Sequence, residues 1–215
     1  SPDGTHWFEI VEYKLKDHLG IVHWGGDYRL TDDDYLYEGA EAIRQMGSSN
    51  LKIYLGGKSD KTYFTSYGYQ TPVEFARSST YKRVFKMGFK RIVLITHATI
   101  KHVKNTSGKL THNYWKTSLD IESFLCEERK QLRELSIELM KYPKTKFIIT
   151  NWEGDCMVGQ DKTLDVYTGM IKWIKARQDG VSDANAKNVF HGIEFNFAYQ
   201  SVYGNPSVLT EVVPH

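Results

Sequence analysis

Cysteine is scarce in this 215-residue chain, which contains only Cys126 and Cys156. Two cysteines cannot build the disulfide framework of a small secreted scaffold, although a single bridge between them stays open. The formal net charge is only +2, with 28 basic residues scattered among 26 acidic ones, which disfavours nucleic acid as a partner. No apolar run approaches the roughly 20 residues that a membrane helix needs. We therefore expect neither nucleic acid nor a membrane as a partner.

Sequence motifs of several enzyme classes are also missing. The turn after the first predicted strand, residues 23–27, lacks the Gly-x-Gly-x-x-Gly spacing of dinucleotide-binding folds. No Gly-x-Ser-x-Gly elbow follows a strand, which disfavours a serine hydrolase. Cys156 is a weak candidate for a nucleophile, because no neighbour in the sequence indicates an activated thiol. Asp155 lacks a second carboxylate at ligand spacing, so we predict no metal and no cofactor.

Aromatic residues, in contrast, are abundant: 14 Tyr, 10 Phe and 5 Trp. Such rings build cores, and they also stack on sugars or on partner proteins. Asn105 begins an Asn-Thr-Ser sequon in a polar stretch, which predicts N-glycosylation. The chain also starts at Ser1 without Met, as a mature protein does after signal removal, although a trimmed sequence would look the same. We expect a secreted glycoprotein.

Strand and helix patterns alternate along the whole chain. Helices are predicted from a Thr31 cap to Gly47, from a capping box at residues 71–74 to Gly88, over residues 119–141, and over residues 163–179 with Gly180 as the stop. The predicted strands are residues 20–23, 51–55, 91–97, 147–150 and 189–196, with 208–213 as a candidate sixth. This alternation indicates a parallel sheet in a single α/β domain over residues 1–215. It does not decide between a closed barrel and an open sheet.

Polar side chains follow the predicted strands at the points where they end. The fourth strand runs directly into Asn151, Trp152, Glu153, Gly154 and Asp155. The carboxyl ends of parallel strands are where βα-repeat folds place their chemistry. The other candidates at strand ends are His97, His191, Glu194 and Asn196, together with Trp24 and Tyr54 as a sugar platform, for which core packing is the competing explanation.

A fourth strand that ends in Asn-x-Glu, with His97 before it and His191 and Glu194 after it, resembles the retaining glycoside hydrolases with a (β/α)8 barrel. In that superfamily the acid/base Glu lies at the end of strand four beside an Asn, and the nucleophile Glu lies at the end of strand seven. Residues 34–40, 151–155 and 173–181 also resemble a group of glycosidase-like barrel proteins. The resemblance implies TIM-barrel-like βα repeats and a carbohydrate ligand.

This chain departs from the superfamily pattern in two ways. Trp152 separates the Asn from the Glu, which are adjacent in the superfamily. Strand alternation would then place Asn151 and Glu153 on one face and Trp152 on the other. The five or six predicted strands also fall short of eight, so the strand with the nucleophile is missing. We expect an incomplete barrel, or the N-terminal part of a longer one.

Glycoside hydrolysis needs two carboxyl groups, about 5 to 5.5 Å apart for retention and about 6.5 to 9.5 Å apart for inversion. We assign Glu153 as the general acid and Glu194 as its partner carboxylate. Asn151 is expected to hydrogen-bond a sugar hydroxyl. The alternative is a non-catalytic carbohydrate-binding or structural subunit derived from a glycosidase barrel. Its open sheet edges would be covered by a second polypeptide or by self-association.

Overall fold

A computed structural model describes residues 19–23, 31–55, 71–97, 121–159 and 162–215. In these ranges five strands form one parallel sheet in the order β1-β2-β3-β4-β5. Their bounds are Gly20–Val22 for β1, Asn50–Leu55 for β2, Arg91–Thr96 for β3, Lys146–Thr150 for β4 and Val189–Gly192 for β5. The order follows the chain without the reversal that creates a switch point in dinucleotide-binding folds. The predicted α/β class with parallel βα repeats is confirmed.

Eight helices connect or follow these strands in the described part of the chain. They are α1 (Tyr35–Gln45), α2 (Pro72–Arg77), α3 (Ser79–Phe85), α4 (Ile121–Leu139), α5 (Gly154–Val158), α6 (Leu164–Asp183), α7 (Ala198–Val202) and α8 (Val208–Glu211). Parallel crossovers are almost always right-handed, so a sequential strand order places the crossover helices on one face of the sheet. None of the helices in the described ranges is long and apolar enough to cross a membrane.

The two faces of the sheet differ in burial. On the helix-facing side, one row of paired residues is almost fully buried: Leu51, Ile92, Phe147 and Val189. On the opposite side, the row one residue further along is partly open to solvent: Val22, Lys52, Val93, Ile148 and Phe190. Val22 and Phe190, at the two ends of this row, are 52% and 45% exposed.

A salt bridge crosses this second face. Lys52 on β2 and Glu194 just after β5 form a salt bridge, with Nζ and Oε2 2.7 Å apart. Three strand spacings of about 4.8 Å separate β2 from β5, or about 14 Å in a flat sheet. Side chains that stand perpendicular to a flat sheet would not meet over that distance. The contact therefore requires that the sheet curls towards this face or that the segment after Gly192 folds back across it, and the hydrogen bonds of the Glu194 backbone to Asn151 and Gly154 place that segment beside the end of β4.

The predicted capping box at the start of α2 is confirmed. The Thr71 hydroxyl accepts from the Glu74 amide at 3.3 Å, and the Glu74 carboxylate accepts from the Thr71 amide at 3.0 Å. The single helix predicted to continue to Gly88 is instead two helices, because Ser78 has an extended backbone and its hydroxyl accepts from the Tyr81 amide. Ser78 thus ends α2 and caps α3.

Two other predicted helix boundaries were wrong. The N-cap of α1 is Asp34, whose Oδ1 accepts from the Tyr37 amide at 2.8 Å, whereas the Thr31 hydroxyl donates to Glu38 Oε2 at 2.7 Å. Gly180 does not end α6, which continues to Asp183. A Cβ on Gly180 would lie 2.3 Å from the Arg129 carbonyl oxygen of α4. This glycine therefore permits the close approach of two helices and is not a stop signal.

The strand predictions near the C-terminus also need correction. The fifth strand ends at Gly192 and does not reach Asn196. Residues 208–213 do not begin a sixth strand, because α8 starts at Val208. Ser207 and Thr210 form a capping box there, with mutual side-chain to backbone hydrogen bonds. This local signal overrides the β-branched character of the segment.

Candidate functional site

Aromatic side chains line the ends of three neighbouring strands. The rings of Tyr54 on β2 and His97 after β3 stack with centroids 6.1 Å apart, and the rings of His97 and Trp152 after β4 lie 6.3 Å apart. Tyr54 and His97 are buried, whereas Trp152 is partly exposed. The structure thus brings two predicted binding residues and Trp152 into one group, which we call the aromatic row.

The Asn151 side chain holds the backbone of Glu194. Its Nδ2 donates to the Glu194 carbonyl at 2.9 Å, and its Oδ1 accepts from the Glu194 amide at 2.9 Å. The Gly154 amide donates to the same carbonyl at 3.0 Å. Asn151 has no exposed surface. Its polar atoms are therefore engaged by the main chain of the neighbouring strand end.

Glu153 has an unusual backbone conformation, with φ of 27° and ψ of 74°. Positive φ is costly for a residue with a Cβ, and such strain clusters at functional sites. The conformation belongs to a turn between the end of β4 at Thr150 and the start of α5 at Gly154. Strand alternation consequently does not extend to Glu153. Its side chain is partly exposed.

Glu194 and Glu153 share one electrostatic environment at the mouth of the sheet. The Glu194 side chain, which is 21% exposed, forms the salt bridge with Lys52. Burial raises the pKa of the Tyr54 hydroxyl, and the negative charges of Glu194 and Glu153 raise the pKa further. Both carboxyl groups are therefore within electrostatic reach of one phenol. Sequence reasoning missed Lys52, although a lysine inside the apolar run 51–55 was a visible signal.

Cys156 does not have the properties of a nucleophile. Burial raises the pKa of its thiol to about 11, and the neighbouring Glu153 contributes to the increase. Such a thiol stays protonated near neutral pH, and the thiolate is the reactive form. Both Cys156 and Cys126 are free, so the single disulfide left open by the sequence is not formed.

His191 lies on the helix-facing side of the sheet. It pairs with Ile149 in the register of β4 and β5, and it lines a surface groove of about 300 Å³ beside the C-terminal half of α6. Burial lowers the pKa of its imidazole to about 3, with a further contribution from the positive charge of Arg177. The structure does not bring His191 to the aromatic row.

The Asp155 side chain hydrogen-bonds with the backbone of Asn196 and not with its side chain. Asp155 Oδ2 accepts from the amides of Asn196 at 2.8 Å and Phe197 at 3.0 Å, and its Oδ1 accepts from the Val208 amide at 2.8 Å. The Asn196 side chain itself is exposed. Across the described ranges no group of three or more His, Cys, Asp or Glu side chains could hold a metal ion.

The remaining candidates, Trp24 and Asn105, lie outside the described residues. Chemically, the strand mouths offer two carboxyl groups, a lysine and a partly exposed indole on a fixed backbone. These groups are of the kind that transfers protons to or from a polar ligand and contacts its apolar face. No protein-family model, curated protein or solved structure matches this chain.

Proposed function

We propose that this chain is a glycoside hydrolase-like protein that acts on or binds a carbohydrate at the C-terminal mouth of its sheet. The main support is the proximity of Glu153 and Glu194. Three hydrogen bonds join the Glu194 backbone to Asn151 and Gly154, on either side of Glu153. Both carboxylates also act on the Tyr54 hydroxyl. Two carboxyl groups at one mouth are the basic equipment for glycoside hydrolysis.

The aromatic row adds support for a sugar as the ligand. The partly exposed Trp152 ring, backed by His97 and Tyr54, provides an apolar surface beside the two carboxyl groups. Sugars present apolar ring faces to such surfaces and hydroxyls to neighbouring polar groups. Lys52 supplies a donor on the face of the sheet opposite the helices, next to Glu194.

In the proposed reaction, Glu153 donates its proton to the glycosidic oxygen while the bond from that oxygen to the anomeric carbon breaks. In a retaining enzyme Glu194 attacks the anomeric carbon and forms a glycosyl ester. Water then cleaves the ester, and Glu153 takes back a proton from that water. In an inverting enzyme Glu194 instead takes the proton of a water that attacks the anomeric carbon directly. The stereochemistry of the product distinguishes the two courses.

The test is hydrolysis of a panel of chromogenic aryl glycosides by wild-type protein and by Glu153→Gln. Because general acid catalysis contributes about 10² to 10⁴ in rate, the variant should lose at least about a hundredfold in turnover without a change in melting temperature. Glu122→Gln is the matched control, since Glu122 is exposed on α4. Turnover by Glu153→Gln at the wild-type rate would contradict the assignment.

A second candidate function is a non-catalytic subunit that assembles through its sheet edges. Its support is the exposure of apolar side chains on the two edge strands of the described sheet, Val22 on β1 and Phe190 on β5. Uncovered parallel edges invite pairing with another chain. In this case no glycoside would be hydrolysed, and sedimentation would show association that Val22→Lys and Phe190→Lys both weaken. Val202→Lys is the control, because Val202 is 80% exposed on α7. A monomer at all concentrations would exclude self-association and leave a second polypeptide as the partner of the sheet edges.

We also propose that the protein is secreted and carries an N-glycan on Asn105. The sequon Asn105-Thr106-Ser107 supports this proposal. Peptide N-glycosidase should lower the mass of the protein made in a secreting eukaryotic host, and Asn105→Gln should remove that mass difference. An unchanged mass after enzyme treatment would contradict the proposal.

A further inference from the structure

We infer that Asn151, Gly154 and Asp155 form a clamp that positions Glu194, so that these residues of the Asn-Trp-Glu-Gly-Asp segment are positioning residues and not ligands of a sugar or a metal. The importance of the clamp for turnover rests on the proposed function. The clamp itself rests only on contacts between β4 and the segment after β5.

The first contact point of the clamp is the peptide backbone of Glu194. The Asn151 amide group uses its oxygen and its nitrogen on the Glu194 amide and carbonyl, both at 2.9 Å. The Gly154 amide adds a third bond at 3.0 Å. An amide side chain is the one type that both donates and accepts in a single plane, as this pairing requires. Complete burial of Asn151 leaves it no surface for a ligand.

The second contact point lies two to three residues further along, at the backbone of Asn196 and Phe197. Asp155 accepts from both of these amides and also from the Val208 amide, at 2.8 to 3.0 Å. Three backbone donors satisfy a carboxylate that is only 4% exposed. Asp155 therefore ties the segment after β5 and the start of α8 to the start of α5.

The backbone between Asn151 and Asp155, which make these two contacts, must turn sharply. A Cβ on Gly154 would lie 2.6 Å from the Glu194 carbonyl oxygen, so only glycine fits. The positive φ of Glu153 occurs in the same turn. Three hydrogen bonds at the Glu194 backbone and two at Asn196 and Phe197 thus fix the backbone of Glu153 relative to that of Glu194, and the bond from the Val208 amide to Asp155 supports them. Because carboxyl separation distinguishes retention from inversion, the clamp fixes the two backbone positions from which the carboxyl groups extend.

Residue-resolved amide hydrogen exchange tests the clamp without a substrate. Asn151→Leu keeps the approximate size of the side chain and removes both hydrogen-bonding groups. Asn188→Leu is the matched control, because Asn188 Nδ2 also bonds three backbone carbonyls, those of Leu139, Tyr142 and Thr145, at the opposite end of the sheet. Exchange rates are compared under native conditions, after the change in global stability has been measured for each variant.

Asn151→Leu should accelerate exchange of the Glu194 amide at least about tenfold beyond any global effect, since that amide loses its buried acceptor. Asn188→Leu should not. In Asp155→Asn only one acceptor oxygen remains, so exchange should rise either at Val208 or at the pair Asn196 and Phe197, but not at both. Equal acceleration at Glu194 in the two leucine variants, or acceleration in neither, would overturn the clamp.

Turnover provides the second readout. If Glu153→Gln abolishes hydrolysis as proposed, Asn151→Leu should lower kcat by a larger factor than it raises KM, because a displaced Glu194 affects the reacting geometry more than substrate binding. Asn188→Leu should leave both constants unchanged. If instead Glu153→Gln has no effect, the proposed function fails, and the exchange rates alone decide whether the clamp exists.

Discussion

The positive φ of Glu153, just after β4, should lower the stability of the folded protein. Glycine adopts this region without the Cβ penalty, whereas alanine retains the Cβ and loses the carboxylate. We therefore expect Glu153→Gly to be more stable than Glu153→Ala by about 1 kcal/mol. Thermal or urea unfolding of the two variants measures the difference. Equal stability would mean that the backbone at residue 153 is not strained in solution.

His191 predicts a specific dependence of stability on pH. The folded protein keeps the imidazole neutral down to its pKa of about 3, whereas the unfolded chain binds a proton near the ordinary value of 6.5. Stability contributed by the neutral imidazole is therefore complete above pH 6.5 and is lost as the pH falls towards 3. Between these two pKa values the free energy of unfolding falls by up to about 1.4 kcal/mol for each pH unit by which the pH is lowered. His191→Gln should make the free energy of unfolding depend less on pH between pH 6 and pH 4. If the wild type and the variant show the same pH dependence, the lowered pKa of His191 is contradicted.

The candidate site shows what single residues reveal before a structure is known. Glu153 and Glu194 could be proposed because carboxylates after strands are informative in any βα repeat. The partners of Asn151 and Asp155 could not, because both bind backbone amides or carbonyls more than 40 positions away in the chain. A sequence displays side chains, but it does not show which backbone groups lack a partner. The prediction from strand alternation fails beyond Thr150 because a turn replaces the strand there.

At the scale of elements, a buried ionic network joins α4 and α6 to the sheet. Arg177 of α6 has no exposed surface and lies 3.1 Å from Glu128 of α4, and it also donates to the Thr96 hydroxyl at the end of β3. Trp173 donates to the same Glu128 oxygen at 2.9 Å. Ions removed from water this completely are stable only while they remain paired.

Arg177→Met should therefore lower the free energy of unfolding by about 3 to 5 kcal/mol, because it leaves Glu128 buried without its counter-ion. Adding Glu128→Gln should recover part of that loss, since the uncompensated charge is removed. Arg129→Met is the control, because Arg129 pairs with Asp183 on the surface of the same two helices, and it should change stability little. Urea unfolding measures all four proteins. An equal loss in Arg177→Met and Arg129→Met would show that the buried pair has no special role.

Gly180 gives a sharper test of how α4 and α6 pack. Replacing a helical glycine with alanine ordinarily stabilises a helix by about 1 kcal/mol. Here the new Cβ would meet the Arg129 carbonyl at 2.3 Å and the Leu132 Cβ at 3.0 Å. These clashes should outweigh the gain in helix propensity. We therefore expect Gly180→Ala to be less stable than the wild type by about 1 to 3 kcal/mol. Lys175→Ala, at an exposed position of α6, is the control. A more stable Gly180→Ala would show that the helices can separate.

Local signals predicted the elements that depend on local chemistry. The Thr71 capping box and the apolar strands β2 to β4 follow from neighbours in the sequence. The role of Gly180 depends on Arg129, which lies on another helix, so the sequence pattern was read as a helix stop. The tail at 208–213 combined a strand composition with a Ser207 cap, and the cap decided the outcome. The Asp34 cap of α1 and the Ser78 break between α2 and α3 are also local, since each side chain accepts from an amide three residues on.

At the scale of the whole molecule, strand order and curvature belong together. A sequential parallel sheet with its helices on one side leaves the other face without a covering layer, unless the sheet curls and that face becomes an interior. Lys52 and Glu194 meet on this face although they are 142 positions apart in the chain. Their contact joins β2 to the segment that follows β5.

A double-mutant cycle with Lys52→Met and Glu194→Gln tests whether this salt bridge stabilises the folded protein in solution. Because both side chains keep roughly a quarter of their surface in water, solvent screening limits the coupling free energy to about 1 kcal/mol or less. The coupling should also shrink as ionic strength rises, since the pair is not fully buried. In the control cycle the exposed Lys175 is mutated to Met instead of Lys52. It should show no coupling to Glu194. If Lys52 and Glu194 also show none at low salt, their salt bridge does not stabilise the folded protein in solution.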